Sequence, residues 1–195
     1  MFDQYNSWRK DEGESTFSPF SIEKDYPKYI DGIPRYDGTA EFLKSRNIEL
    51  PFGASNEEEG FKTICGIGNR KNQLFQEIIS EEGVEVFEKN VAQVRKWKEN
   101  GMRTAIISSS KNCKQILEAT GLEYLFEERI DGVICAERNI PGKPAPDIFL
   151  EAASKLNIPP EKALIVEDAQ AGVRAGKAGG FGLVIGLKNA SNEEE

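Results

Sequence analysis

Apolar residues follow two different patterns along the chain. Between residues 86 and 187, short apolar runs alternate with amphipathic stretches. Phe87, Val91, Val94 and Trp97 recur at helical spacing, and Gly101 follows as a stop. Thr104–Ser108 is a short run suited to a strand buried on both faces. Cys113, Ile116 and Leu117 share a helix face that ends at Gly121. Gly132–Cys135 reads as a second strand, Ala163–Val166 as a third and Gly182–Ile185 as a fourth. Ile148, Phe149, Ala152, Ala153 and Leu156 make an amphipathic helix entered through Pro146 and Asp147. A shorter helix over Val173–Ala178 is broken by Gly179-Gly180. Strand and helix alternating over about 100 residues predict an α/β fold with a parallel sheet and right-handed crossovers. Ligands in such sheets sit beyond the carboxyl ends of the strands.

The first 85 residues are polar and aromatic, with few β-branched runs. Ala40, Phe42, Leu43 and Ile48 predict one helix and its exit. Leu74, Phe75, Ile78 and Ile79 predict another, entered after Gly66-Ile67-Gly68-Asn69, with an acidic loop at Asn56–Gly60 between them. The first 25 residues carry the weakest pattern. Residues 188–195 hold no apolar side chain beyond Ala190 and are expected to form a tail. The expected organisation is a helical region over 1–85, an α/β core over 86–187 and a tail over 188–195.

Charge and composition then exclude chemistries. Lys plus Arg number 25 against 33 Asp plus Glu, a net charge of −8. Such a chain repels nucleic-acid phosphates and anionic membrane surfaces, so neither is an expected partner. There is no histidine. That removes Ser-His-Asp and Cys-His catalysis, His-ligated zinc and an imidazole base. Cys65, Cys113 and Cys135 are an odd, widely spaced set without a CxxC, which reads as free thiols of a reducing compartment. No apolar run approaches a membrane span, and the polar N-terminus does not read as a signal peptide. The expectation is a soluble cytoplasmic protein.

Three constellations stand where strands end. Ser108-Ser109-Ser110-Lys111-Asn112 follows the first strand and opens a helix, a pattern that serves an anion site or ordinary serine capping. Gly142-Lys143-Pro144-Ala145-Pro146-Asp147 presents one lysine from a loop stiffened by two prolines. Glu167-Asp168 places two carboxylates after the third strand, suited either to a divalent cation such as Mg²⁺ or to a helix cap. Hydroxyl, lysine and paired carboxylates in that order describe phosphoryl-transfer electrostatics.

These runs resemble the haloacid dehalogenase (HAD) superfamily, in its β-phosphoglucomutase-like branch. Ile106–Asn112, Gly142–Phe149 and Val166–Gly172 are similar to that branch's second, third and fourth motifs. Asn69-Arg70-Lys71-Asn72 resembles a segment of its helical cap that faces substrate. The resemblance implies a HAD-type Rossmann-like parallel sheet flanked by helices, with a cap. It implies a phosphatase or phosphomutase acting on a small phosphorylated metabolite, such as a sugar phosphate. Ser108 would hydrogen-bond the phosphoryl group, with Ser109, Ser110, Lys111 and Asn112 completing the loop. Lys143 would balance charge, Glu167 and Asp168 would hold Mg²⁺, and Arg70 and Lys71 would contact substrate from the cap.

The family's nucleophile lies in an Asp-x-Asp at the end of a first, central strand, and no Asp-x-Asp occurs in this sequence. Asp37-Gly38-Thr39 mimics the end of that motif, but Arg35 stands at the nucleophile position and no apolar strand precedes it. The expectation is therefore a sheet without its central strand, from a truncated or incompletely read parent enzyme. Its neighbouring strands would either pair directly or be covered by a partner strand or a second copy. A non-catalytic phosphate-binding relative is the alternative.

Overall fold

A computed structural model describes residues 1–187. The chain divides into a helical unit, Met1–Asp31 with Arg35–Gly83, and an α/β unit, Gly32–Pro34 with Val84 onward. The expected tail, 188–195, lies outside the described residues.

In the helical unit, α1 (Phe2–Asp11) forms where the sequence pattern is weakest. Phe2, Tyr5 and the half-buried Trp8 fall on one face by i, i+3 spacing. Phe2 meets Phe42 edge-on at 4.8 Å, and Trp8 packs against Phe61 at 5.8 Å. After a π-helical turn at Tyr26–Ile30 comes α2 (Arg35–Ser45), which buries Phe42 and Leu43 in the same aromatic core. Buried Asp25 pairs with Arg46 at 2.6 Å and accepts from the Ser21 N–H at 2.8 Å.

α3 (Ile64–Glu82) begins earlier than its periodicity suggests. Thr63 is the cap, its Oγ1 accepting from the Gly66 N–H at 2.8 Å. Gly68 lies inside the helix because a Cβ there would stand 2.8 Å from the Tyr36 ring. Close packing, not a helix entry, explains the Gly66-Ile67-Gly68 run.

The α/β unit runs α4 (Glu88–Glu99), β1 (Ala105–Ile107), α5 (Cys113–Thr120), β2 (Glu128–Ile130), α6 (Gly132–Arg138), α7 (Asp147–Lys155), β3 (Leu164–Glu167), α8 (Gln170–Ala178) and β4 (Leu183–Gly186). The second strand is thus Glu128–Ile130, and Gly132–Cys135 is helix instead. Asp131 decides this. Its Oδ1 accepts from the Val133 and Ile134 N–H groups at 3.0 and 3.2 Å, which starts α6. A four-residue apolar run carries no period of its own, and the two charges of β2 conceal the strand.

β1 pairs with β2 in parallel, Ala105 opposite Glu128 and Ile107 opposite Ile130. β3 pairs with β4 in parallel, Leu164 opposite Leu183 and Glu167 opposite Gly186. Among the described residues these are two separate sheets, so β1 and β3 do not pair directly as one expected outcome had it. Each pair has its own crossover helix, α5 or α8, and among the described residues each of the four strands keeps one edge without a ladder partner. Both sheets share a core of Ile130, Ile148, Phe149, Ala152, Ile165 and Ala175, built around α7 and α8. No helix among the described residues is long and apolar enough to cross a membrane.

Candidate functional site

The carboxyl ends of β1 and β3 and the loop before α7 carry the three constellations. Ser108, half-buried, follows β1. Its Oγ accepts from the Ser110 N–H, and the Ser110 Oγ accepts from the Asn112 N–H, both at 3.1 Å. These hydroxyls shape the loop and do not cap α5. Its cap residue is Asn112, which makes no side-chain cap bond. The loop thus leads directly into the start of α5, where backbone N–H groups carry a partial positive charge.

Lys143 is not presented to solvent as its loop suggested. Its side chain is 4% exposed and pairs with Glu167, 8% exposed, at 2.8 Å. The ammonium also lies 5.1 Å from the centre of the Phe149 ring. Glu167 Oε1 accepts from the Ala169 N–H at 3.2 Å. Gly172 makes this possible, since a Cβ there would collide with the Glu167 carboxyl group. The second and third constellations are thus joined by one buried ion pair.

That pair bears on the metal. Glu167, expected as a ligand, has the Lys143 ammonium where a cation would neutralise it. Asp168 is exposed, and it does not cap α8, whose cap residue is Ala169. Among the described residues no three acidic or thiol side chains are grouped to hold a metal ion. One available carboxylate does not make a Mg²⁺ site.

A short segment outside the three constellations, Gly32–Pro34, touches all three loops. The Ser109 hydroxyl, expected to meet substrate, donates to the Gly32 carbonyl at 2.8 Å. Gly32 has φ +68, and a Cβ on it would stand 2.7 Å from the Ala169 Cβ. A Cβ on Gly142 would stand 2.6 Å from the Pro34 ring. Gly32 and Gly142 let Gly32–Pro34 thread among the strand ends. The Gly-x-Pro spelling was the only available signal.

The helical unit places its own candidates. The Arg70 guanidinium is held by Glu59 at 2.9–3.0 Å and by Gln4 at 3.3 Å. It lines a cleft of about 360 Å³ with Gln4, Glu59, Gly60 and Phe61. Lys71 reaches the surface of α3, yet surrounding protein mass and then the Arg35 guanidinium lower its pKa. Arg35 donates to Asn72 Oδ1 at 2.6 Å. Arg35 and Lys71 are a cationic pair that the sequence did not reveal, because they are thirty-six positions apart. Asn69 is structural, accepting from the Tyr36 hydroxyl at 2.8 Å and donating to the Glu57 carbonyl at 2.9 Å. Asp37 is exposed in the first turn of α2, a helix-start carboxylate.

With this geometry in hand, comparison with known proteins is decisive on class. The profile of haloacid dehalogenase-like hydrolases matches residues 5–180. The chain belongs to the haloacid dehalogenase-like hydrolase family, and its architecture is the HAD Rossmann-like α/β fold. It is similar to a β-phosphoglucomutase of Mycobacterium bovis, 40% identical over 187 residues, covering 96% of this chain and 71% of that protein. It is also similar to a phosphorylated carbohydrates phosphatase of Thermotoga maritima, 27% identical over 183 residues, covering 84% of this chain and 85% of that protein. Among solved structures, a variant of CbbY from Rhodobacter sphaeroides in complex with xylulose-(1,5)bisphosphate matches with a TM-score of 0.68 and 21% identity. That match covers 100% of this chain and 81% of the other, and it speaks to fold alone.

Proposed function

We propose that the α/β unit binds the phosphoryl group of a small phosphorylated sugar at the Ser108–Asn112 loop, as part of a HAD phosphatase or phosphomutase. The observation carrying this reading is the convergence of three sequence-distant loops, joined by the Lys143–Glu167 pair at 2.8 Å and by the Ser109–Gly32 bond at 2.8 Å. Ser108 Oγ already accepts one N–H, so its own proton is available to a phosphoryl oxygen. Lys111 and the start of α5 supply positive potential there. Lys143, its charge balanced by Glu167, holds the β3 end in place. Ser109 is a positioning residue. By resemblance to the family the helical unit is its cap, and Arg35, Arg70 and Lys71 are that unit's candidate cations for a phosphorylated ligand.

In this reading the carboxylate that would attack phosphorus comes from an Asp-x-Asp strand that the sequence does not contain, and the 195-residue chain binds without turning over. Inorganic phosphate and sugar phosphates are expected to raise the melting temperature, by about 2.7 kcal/mol of added stability at a hundredfold excess over Kd. Hydrolysis of p-nitrophenyl phosphate is expected at background. No thermal shift would sink the binding reading. Turnover that survives in Asp37→Asn would show a nucleophile elsewhere in the chain.

A further inference from the structure

Asp131 lies outside the three constellations, yet its side chain is completely buried. A buried carboxylate is costly unless its oxygens are matched. Oδ1 takes the two N–H groups that open α6. Oδ2 pairs with the Arg129 guanidinium, whose side chain is 29% exposed. Charge is therefore balanced within three residues at the carboxyl end of β2. The backbone of the same corner carries the Ser108 loop. The Ser108 N–H donates to the Ile130 carbonyl at 3.0 Å, and the Gly132 N–H donates to the Ser110 carbonyl at 3.1 Å.

Gly132 sits in direct contact with that loop. A Cβ there would stand 2.6 Å from the Ser109 carbonyl oxygen and 3.0 Å from both the Lys111 nitrogen and the Ser110 carbonyl carbon. All three are backbone atoms, which have no rotamer to escape into. The loop has one seat, and three neighbouring residues define it: Arg129 fixes Asp131, Asp131 fixes the chain's turn into α6, and Gly132 lets the loop settle on that turn.

We propose that Arg129, Asp131 and Gly132 are positioning residues that set the Ser108–Asn112 loop in its anion-binding shape. This rests on the phosphate reading of that loop. The sequence offers only the Arg-Ile-Asp-Gly spelling, split between the end of a strand and the start of a helix.

The test titrates inorganic phosphate into the full chain by calorimetry and follows the backbone amide signals of Ser109, Ser110 and Lys111 by NMR without phosphate. Gly132→Ala is expected to raise the phosphate Kd about tenfold or more, since the loop must move by a sizeable fraction of an ångström. Asp131→Asn keeps an acceptor for the two N–H groups but loses the charge facing Arg129. It is expected to give a smaller rise and a smaller displacement of the same amide signals. Arg129→Lys, which keeps the charge facing Asp131, is expected to move the Kd and the amide signals less than Asp131→Asn does. Should Gly132→Ala fail to fold, Asp131→Asn against Arg129→Lys decides the matter. Folded Gly132→Ala and Asp131→Asn chains with unmoved loop signals and a Kd within about twofold of wild type would overturn the proposal. A wild-type chain without phosphate affinity would overturn the reading of the loop, and the amide signals would then decide the positioning independently.

Discussion

The two units of this chain are stabilised differently. The helical unit has a core of rings: Phe2, Tyr5 and Phe42, flanked by Trp8, Phe20, Tyr29 and Phe61. The α/β unit has a thin aliphatic core around α7 and α8, with the fully buried Ala175 and the single buried ring of Phe149. It also buries charge, as Lys143 with Glu167 and Arg129 with Asp131, at the strand ends where the candidate chemistry stands. The helical unit buries one ion pair of comparable depth, Asp25 with Arg46, against its aromatic core. Large rings tolerate an irregular chain path, because each covers much surface from a single anchor. Small residues and matched charges tolerate no displacement, which suits a unit whose loops must keep their shape.

The difference can be broken from either side. Lys143→Met leaves the Glu167 carboxylate buried without its partner and is expected to remove about 3–5 kcal/mol in urea unfolding. Adding Glu167→Leu is expected to restore most of it. Phe42→Ala is expected to remove a similar amount, about 3–5 kcal/mol, from the helical unit. The two tryptophans separate these effects, Trp8 reporting the helical unit and Trp97 the α/β unit. If both variants shift both signals equally, the two units unfold as one and are not stabilised separately.

Smaller effects sharpen the same contrast. Ser109→Ala takes from the Gly32 carbonyl its hydroxyl donor and is expected to lower stability by about 1 kcal/mol. Acid should act on the helical unit through Glu57, whose pKa falls below its ordinary 4.5 because it accepts the Thr63 hydroxyl and then the Ala54 N–H. Its folded pKa is the lower one, so its stabilisation is complete above about 4.5 and disappears as pH falls through the depressed value. Glu57→Gln should flatten that part of the Trp8 melting profile. The least change is expected from removing divalent cations. EDTA should leave the melting temperature of the phosphate-free chain unmoved, since Lys143 already neutralises Glu167. A large drop would show that Asp168 holds a structural ion.

How much was readable follows the same division. The strands at Ala105–Ile107, Leu164–Glu167 and Leu183–Gly186 and the helices around Leu117, Phe149 and Ala175 were legible, because short apolar runs alternate there with amphipathic stretches bounded by Gly and Pro. β2 was not legible, because Glu128 and Arg129 mask a strand of three residues, and the capping bonds of Asp131 turn the apolar run after it into α6. α1 was missed because its ring-bearing face is only half apolar. Ser108, Lys143, Glu167 and Asp168 could be named as candidates from their order and residue types, and the structure sets them at or beside strand ends. Their pairing was not, since spacing does not say whether Glu167 faces a cation or Lys143.

The sequence by itself determined the class of chemistry. A chain without histidine excludes imidazole chemistry, and its serine, lysine and paired carboxylates after successive apolar runs point to phosphoryl handling. Tertiary structure alone decided which of those groups are available. Lys143 and Glu167 neutralise each other, Ser109 holds Gly32, and Gly132 seats the loop that carries Ser108. The reason is physical: residue type fixes what a side chain can donate or accept, whereas burial and the nearest opposite charge fix whether it still can.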